Sequence, residues 1–352
     1  MPTPPPAWRP NGEPGPSNRR LSQFAEVTAI GLAMPRNPLI IQAIALSNAG
    51  RHADAIQIIR QLASTGDPEA LGALAEMTWR GGLVEQDPRQ ARTLFEQAAA
   101  RGNAKAALIL TNLLASGVAG TRDWDDALSR LGAETKLHPP RKRTLELIEA
   151  MELDADGDPF AVPEGRQLST DPHVVHFTGL FTAAECDYLM QASGGAFEPS
   201  MVHDSNRQLV RDQIRTSDGA TIHWLIEDPA IVALNRRIAA ISNSAYENGE
   251  ALALLRYSPG QEYRPHFDFV SGAANRRLQT ALIYLNSGYE GGETQFVRTG
   301  LTVRGGAGDV VLFHNEGADG GPNPLSEHAG LPVTRGLKYL ATRWIRESRW
   351  IP

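Results

Sequence analysis

The sequence predicts an α+β chain of two domains, an N-terminal α-helical repeat followed by an all-β core with flanking helices. Three observations predict it. The 352 residues, at roughly 150 per domain, provide for two buried cores. An Ala- and Leu-rich stretch repeats at a fixed step of 36 residues. Beyond about Val174 the chain changes to short apolar runs separated by Gly, Asn and Asp, the pattern of strands and turns.

The first 36 residues open with MPTPPPAWRPNGEPGPSNRR, rich in proline and without the apolar run of a signal peptide, and are expected to be a disordered Pro-rich tail and lead-in. From residue 37 to about 135 the repeat takes over. Ala55, Ala91 and Ala127 are 36 apart, and the same step relates Ala63 to Ala99, Gly66 to Gly102, Ala70 to Ala106, Gly81 to Gly117 and Asp87 to Asp123. Within one unit, PEALGALAEMTWR predicts a helix ending at Gly81, where glycine allows a left-handed cap. Asp87 and Pro88 then open the next helix, RQARTLFEQAAA, which stops at Gly102. Small residues at the repeating positions let neighbouring helices pack closely. This pattern resembles the Sel1-like, TPR-related repeats, a resemblance that implies a protein-binding face. Residues 136 to 165, with HPPRKR and DADGDP, are expected to be a linker or docking segment.

The second half, residues 166 to 352, carries FTAAECDYLMQAS, a helix with Thr182 as N-cap and Glu185 completing a capping box, and a second helix at 229 to 241. Strands are expected at 251–257, 278–286, 294–297, 301–304, 309–314 and 337–345, enough for a β-sandwich or barrel. Composition excludes several functions. A net charge of −6 gives no bulk attraction for nucleic acid. One cysteine, Cys186, rules out a disulfide framework and a Cys-rich zinc site, and agrees with a reducing cytoplasm. No stretch approaches the roughly 18 apolar residues of a membrane span, so no membrane partner is expected.

Any metal must therefore sit on histidine and carboxylate. His266 and Asp268 are two apart, which on a strand points both to one face. His314 and His328 are the candidates for a second imidazole. Two histidines and one carboxylate leave open positions on an octahedral ion, the facial arrangement of non-haem Fe(II) oxygenases. Lys338 follows ten residues after His328, in a strand whose alternation puts Lys338, Leu340, Thr342 and Trp344 on one face. A cation there suits the distal carboxylate of a dicarboxylate cosubstrate.

The ordered series LLRYSPGQEYRPHFD, RRLQTALIYLN, GGETQF, GDVVLFHN and SEHAGLPVTRGLKYLATRW, with IRTS and YENGE upstream, resembles the catalytic domain of the prolyl 4-hydroxylase group of iron- and 2-oxoglutarate-dependent dioxygenases over roughly residues 170 to 347. The resemblance implies a double-stranded β-helix, or jelly roll, with Fe(II) held by His266, Asp268 and His328. It implies that Lys338 binds the 5-carboxylate of 2-oxoglutarate beside Tyr257, with Thr280 and Thr342 in the same pocket, and that Tyr263, Arg277 and Trp344 line a substrate cleft. His314 then belongs to a core strand, because the ten-residue step to the lysine selects His328. Two departures are Glu327, where relatives carry an apolar residue, and Tyr339 in place of tryptophan. The implied reaction uses O2 and 2-oxoglutarate, with ascorbate as a candidate accessory, to hydroxylate an aliphatic C–H, best matched by a peptidyl proline, releasing succinate and CO2. A free amino acid or small metabolite is the alternative substrate, and a non-catalytic repeat scaffold the alternative function. Asn315 to Pro324, NEGADGGPNP, is expected to form a mobile loop over the cleft.

Overall fold

The computed structural model describes residues 37–203 and 209–352; the Pro-rich stretch expected at 1–36 lies outside them. The described residues divide into two compact units, one containing the first five helices and the other Trp124–Ile351.

The helices of the first unit are α1 (Pro38–Asn48), α2 (His52–Ser64), α3 (Pro68–Arg80), α4 (Pro88–Ala100) and α5 (Ala104–Ser116). Capping side chains start four of them. Asn37, Asp67, Asp87 and Asn103 accept from the backbone N–H groups of Leu39, Ala70, Gln90 and Ala106, and α3 ends at Gly81 with φ of 72°. Consecutive helices pack through small residues, with the repeating Ala70, Ala91 and Ala106 and also Ala75 and Ala98 fully or almost fully buried. Arg92 donates to the carbonyls of Leu113, Val118 and Thr121 and so fixes the turn after α5.

In the second unit, α6 (Trp124–Glu134) keeps the 36-residue step and α7 (Pro139–Ala150) falls one residue short of it. The helices α2, α4 and α6 start at residues 52, 88 and 124, and α3, α5 and α7 at 68, 104 and 139. The segment expected as a linker or docking segment, 136–165, contains a helix, and α7 is docked within its unit: Thr144 hydrogen-bonds to Tyr188 at 2.6 Å and reaches Asp228 at 3.3 Å. Tyr188 lies on α8 (Ala183–Ala192), which carries the expected Thr182–Glu185 capping box. Asp228 caps α9 (Pro229–Ile241).

The strands are β1 (Arg166–Thr170), β2 (His173–Phe177), β3 (Glu198–Pro199), β4 (Met201–His203), β5 (Leu209–Arg211), β6 (Asp218–Ile222), β7 (Leu252–Tyr257), β8 (Tyr263–His266), β9 (Arg277–Tyr284), β10 (Glu290–Gly291), β11 (Thr294–Phe296), β12 (Thr302–Val303), β13 (Val310–His314), β14 (His328–Gly330), β15 (Val333–Arg335) and β16 (Lys338–Arg346). Eight form an antiparallel sheet in the order β1-β2-β13-β9-β16-β7-β6-β3, and four form a second in the order β12-β11-β14-β8. Leu255, Tyr257, Leu282, Tyr284, Val311, Phe313 and Leu340 of the large sheet pack with Phe296 and Val303 of the small one in a single apolar core. These are the two faces of the expected jelly roll. Alternation along each strand decides which side chains enter that core, and the same rule sends His314, next to Phe313, to the opposite face. There its ring meets His173 edge-on at 4.9 Å, away from His328. Cys186 is buried under the sheet, its thiol pushed up to about 12 chiefly by burial, which makes it unreactive packing.

The 315–324 stretch differs from the mobile loop that its glycines suggested. Gly317 N–H donates to the Gly321 carbonyl and Arg276 donates to Glu316 and, at 2.8 Å, to the Gly320 carbonyl. Asn323 donates to Asp171 at 2.6 Å. It is a tied hairpin that delivers the chain into β14.

Candidate active site

The site is built where the small sheet faces the core. His266 ends β8 and His328 begins β14, and the two are direct cross-strand partners with ring centroids 4.3 Å apart. Asp268 is not on the strand. The strand stops at His266 and Asp268 lies in the bend beyond, so the expected same-face geometry is supplied by a turn of the backbone. Its Oδ1 is 3.7 Å from His266 Nε2 and its Oδ2 is 3.7 Å from His328 Nε2. Among the described residues this is the one group of three or more His, Cys, Asp and Glu whose ligand atoms converge.

The donor set fits a metal ion. Each 3.7 Å separation is within the about 4.2 Å that two donors can span when each bonds one ion at about 2.1 Å. His266 Nδ1 is 2.8 Å from the Arg264 carbonyl and His328 Nδ1 is 3.0 Å from the Ser326 carbonyl. A carbonyl only accepts, so each Nδ1 carries the proton and each Nε2 presents a lone pair to the site. Burial, with the neighbouring His328, pushes His266 down to about 3 and keeps it neutral. Burial pushes the Asp268 carboxyl up, but the Arg277 charge and the hydrogen bond from Thr280 act against it, and it lies below its ordinary range. Tyr263 stacks on His266 at 3.4 Å with the planes 12° apart, which restrains the ring from its open side.

One cavity connects these groups to Lys338. Lys338, Leu340, Thr342 and Trp344 all line it, as the alternation of β16 requires, opposite Tyr263, His266 and His328. Lys338 is the register partner of Tyr257, is 2% exposed, and donates to the Gly292 carbonyl at 2.7 Å. Burial brings its ammonium down to about 8, with Glu293 acting in the other direction. With one carbonyl and the rings of Tyr257, Tyr284 and Tyr289 around it but no carboxylate bonded to it, this buried cation is poised for an anion. Tyr257 also lines the cavity, its hydroxyl pushed up to about 12 by burial, and so is a neutral hydrogen-bond donor.

Thr280 is placed differently from the expectation. It is fully buried and not among the residues that line the cavity; its hydroxyl donates to Asp268 Oδ2 at 2.8 Å and accepts from Asn315 Nδ2 at 3.0 Å. The core-facing position of β9 holds it under the carboxylate. The expected cleft residues come together: Tyr263 and Trp344 line the cavity, and Arg277 stacks over Trp344 at 4.1 Å. Glu250 holds that guanidinium through both carboxylate oxygens, at 2.6 and 2.9 Å, and shares Oε1 with Arg346 at 2.6 Å. Glu327, the departure before His328, pairs with Arg298 at 3.0 Å outside the site.

Four residues with no role expected from sequence belong to the constellation: Arg215, Glu250, Asn315 and Arg346. Arg215 lines the cavity and lies 5.7 Å from the Tyr263 ring, and its Nε is buried without a hydrogen-bond partner. It and Glu250 fall within IRTS and YENGE, motifs whose position was legible although the contacts were not.

A sequence profile of the 2OG-Fe(II) oxygenase superfamily matches residues 252–346, which include His266, Asp268, His328 and Lys338. Prolyl 4-hydroxylase 1 of Arabidopsis thaliana is 34% identical over 201 residues, 51% of this chain and 71% of that protein. Probable prolyl 4-hydroxylase 7 of the same plant is 32% identical over 219 residues, 55% and 69% of the two chains. The crystal structure of a viral collagen prolyl hydroxylase from Paramecium Bursaria Chlorella virus-1, in complex with 2OG, aligns at 25% identity and a TM-score of 0.38 over 50% of this chain and 96% of that one. With the profile over the core strands and relatives of this identity across most of their length, the chain belongs to the 2OG-Fe(II) oxygenase superfamily, in its prolyl 4-hydroxylase-like branch.

Proposed function

We propose that the protein hydroxylates a prolyl residue of a peptide or protein, using Fe(II), 2-oxoglutarate and O2, with ascorbate as an accessory reductant. The observation that carries the reading is the convergence of His266, Asp268 and His328 in the same cavity as the buried Lys338. His266, Asp268 and His328 would hold the iron, which would supply the chemistry that joins oxidative decarboxylation of 2-oxoglutarate to hydroxylation, one atom of O2 entering succinate and the other a C–H bond, with CO2 released.

The chain's own residues orient the reactants and keep the site dry. Lys338 holds the 5-carboxylate, with Tyr257 donating from the neighbouring strand and Thr342 on the same wall. Leu255, Leu282 and Leu340 exclude water from the cosubstrate. Asp268, by filling one ligand position, favours hydroxylation over halide transfer. Tyr263, Trp344 and the Arg277 guanidinium stacked on it provide an aromatic wall suited to a pyrrolidine ring. The helical unit, whose 36-residue units are Sel1-like in pattern, supports recruitment of a protein substrate. The cytoplasm is the compartment we assign, in keeping with one unpaired, buried cysteine.

A free amino acid is the second reading, favoured by Arg215, whose Nε has no hydrogen-bond partner in the cavity wall and suits a carboxylate. Intact ligands and lysine weigh against a non-catalytic scaffold. Purified protein supplied with proline-containing peptides, protein partners captured by the full chain, and free proline separates these readings by mass spectrometry. A gain of one oxygen on peptidyl proline supports the first, and a gain on free proline alone supports the second.

A further inference from the structure

We propose that Asn315 and Thr280 form a positioning relay that fixes how Asp268 is offered to the metal, and that Asn315 also sets His328 through the hairpin it begins. The inference rests on the reading that Asp268 and His328 are metal ligands.

The direction of the relay follows from donor and acceptor chemistry. An ionised carboxylate only accepts, so the Thr280 hydroxyl proton, 2.8 Å away, must point at Asp268 Oδ2. The hydroxyl oxygen is then an acceptor, and Asn315 Nδ2 at 3.0 Å supplies the donor. Thr280 and Asn315 are fully buried and Asp268 is 5% exposed, so water has little access to replace either bond. With Oδ2 tied to the large sheet, the carboxylate cannot rotate freely, and Oδ1 is directed toward His266.

The backbone of Asn315 extends the same control to the other side of the site. Its N–H donates to the Leu278 carbonyl at 2.8 Å, and its carbonyl accepts from Asn323 at 2.9 Å. The Asn323 carbonyl accepts from Ser326 N–H at 3.0 Å, and the Ser326 carbonyl receives His328 Nδ1 at 3.0 Å. One buried residue at the end of β13 is thereby linked to two of the three ligands, which lie 60 residues apart in sequence. Such outer partners commonly govern metal affinity as much as the orientation of the ligands themselves.

Co(II) binding to the full chain under anaerobic conditions, without cosubstrate, reads this apart from turnover. Wild type gives a Co(II) absorption spectrum and a dissociation constant, and Asp268→Ala weakens both. Thr280→Val, which keeps the shape and removes the hydroxyl, weakens binding about 10- to 100-fold and shifts the absorption bands. Thr280→Ser restores both. Asn315→Asp supplies a second variant in which the carboxylate cannot donate and competes for the Thr280 proton, and it weakens binding in the same direction. Wild-type affinity and band positions in Thr280→Val and Asn315→Asp, with Asp268→Ala impaired, overturn the relay. Binding unaffected by Asp268→Ala overturns instead the metal reading beneath it.

Discussion

His328 faces His266 directly across the β14–β8 pair, and the two oxygens of Asp268 lie 3.7 Å from their respective Nε2 atoms. Three donors thus come from two strands and one bend, each histidine oriented by a backbone carbonyl at its Nδ1. The pairing also places the ligands opposite the cation of β16, and the consequences of that arrangement can be measured.

The first concerns pH. Burial lowers Lys338 from an ordinary 10.5 to about 8 in the free protein. A bound dicarboxylate favours the ammonium and raises it again. Cosubstrate affinity is therefore level below about pH 8 and falls above it, by up to about tenfold per pH unit, as the free lysine loses its proton. The KM for 2-oxoglutarate between pH 7 and 9.5 checks this, and a flat profile contradicts it. In the free protein the unfolded chain holds more protons between about 8 and 10.5, so this group's contribution to stability rises with pH across that window.

Gly292 is the second point of sensitivity. Its φ is +69°, its carbonyl accepts a hydrogen bond from the Lys338 ammonium, and a Cβ would meet Val333 Cγ2 at 3.0 Å and Lys338 Cδ at 3.1 Å. Gly292→Ala is expected to cost about 1–2 kcal/mol in backbone strain and to raise the KM for 2-oxoglutarate. The KM for the peptide stays near wild type. Steady-state kinetics with each reactant varied in turn distinguishes the two.

Third, Arg277 and Glu250 should separate substrate binding from stability. Arg277→Ala removes the guanidinium from the Trp344 face and raises the peptide KM, with about 0.5–2 kcal/mol lost. Glu250→Ala leaves the half-buried Arg277 and the buried Arg346 without their shared carboxylate and lowers stability by about 3 kcal/mol. Thermal melting of the two variants, alongside peptide KM, tests the division. Equal melting temperatures for Glu250→Ala and wild type would contradict it.

Much of this was legible in the sequence because it depends on local rules. Helix α3 runs from Pro68 to Arg80 and stops at Gly81 as expected, although the ψ of −162° there is extended rather than that of the left-handed cap, and Thr182 and Glu185 form the box that their spacing called for. Alternation correctly put Lys338, Leu340, Thr342 and Trp344 on the cavity wall. The His266–Asp268 pair converges for a different reason from the one its spacing implied, since a bend replaces the last step of the strand. Short strands such as β2 and β6 escaped notice because HVVHF and DGATI mix polar and apolar residues. The least legible contacts join strands far apart in the chain. Thr280 to Asp268, Glu250 to Arg346 and Arg276 to the 315–324 hairpin depend on sheet register and on which face each residue takes. Glycine content alone made that hairpin look mobile, while the residues that tie it down lie elsewhere in sequence.

The most direct test is oxygen transfer to a proline-containing peptide, followed by mass spectrometry together with succinate formation. The account predicts a gain of one oxygen on proline and matching succinate only when Fe(II) and 2-oxoglutarate are both supplied, with both signals abolished in His266→Ala. Turnover retained in His266→Ala, or succinate formed without iron, would contradict it.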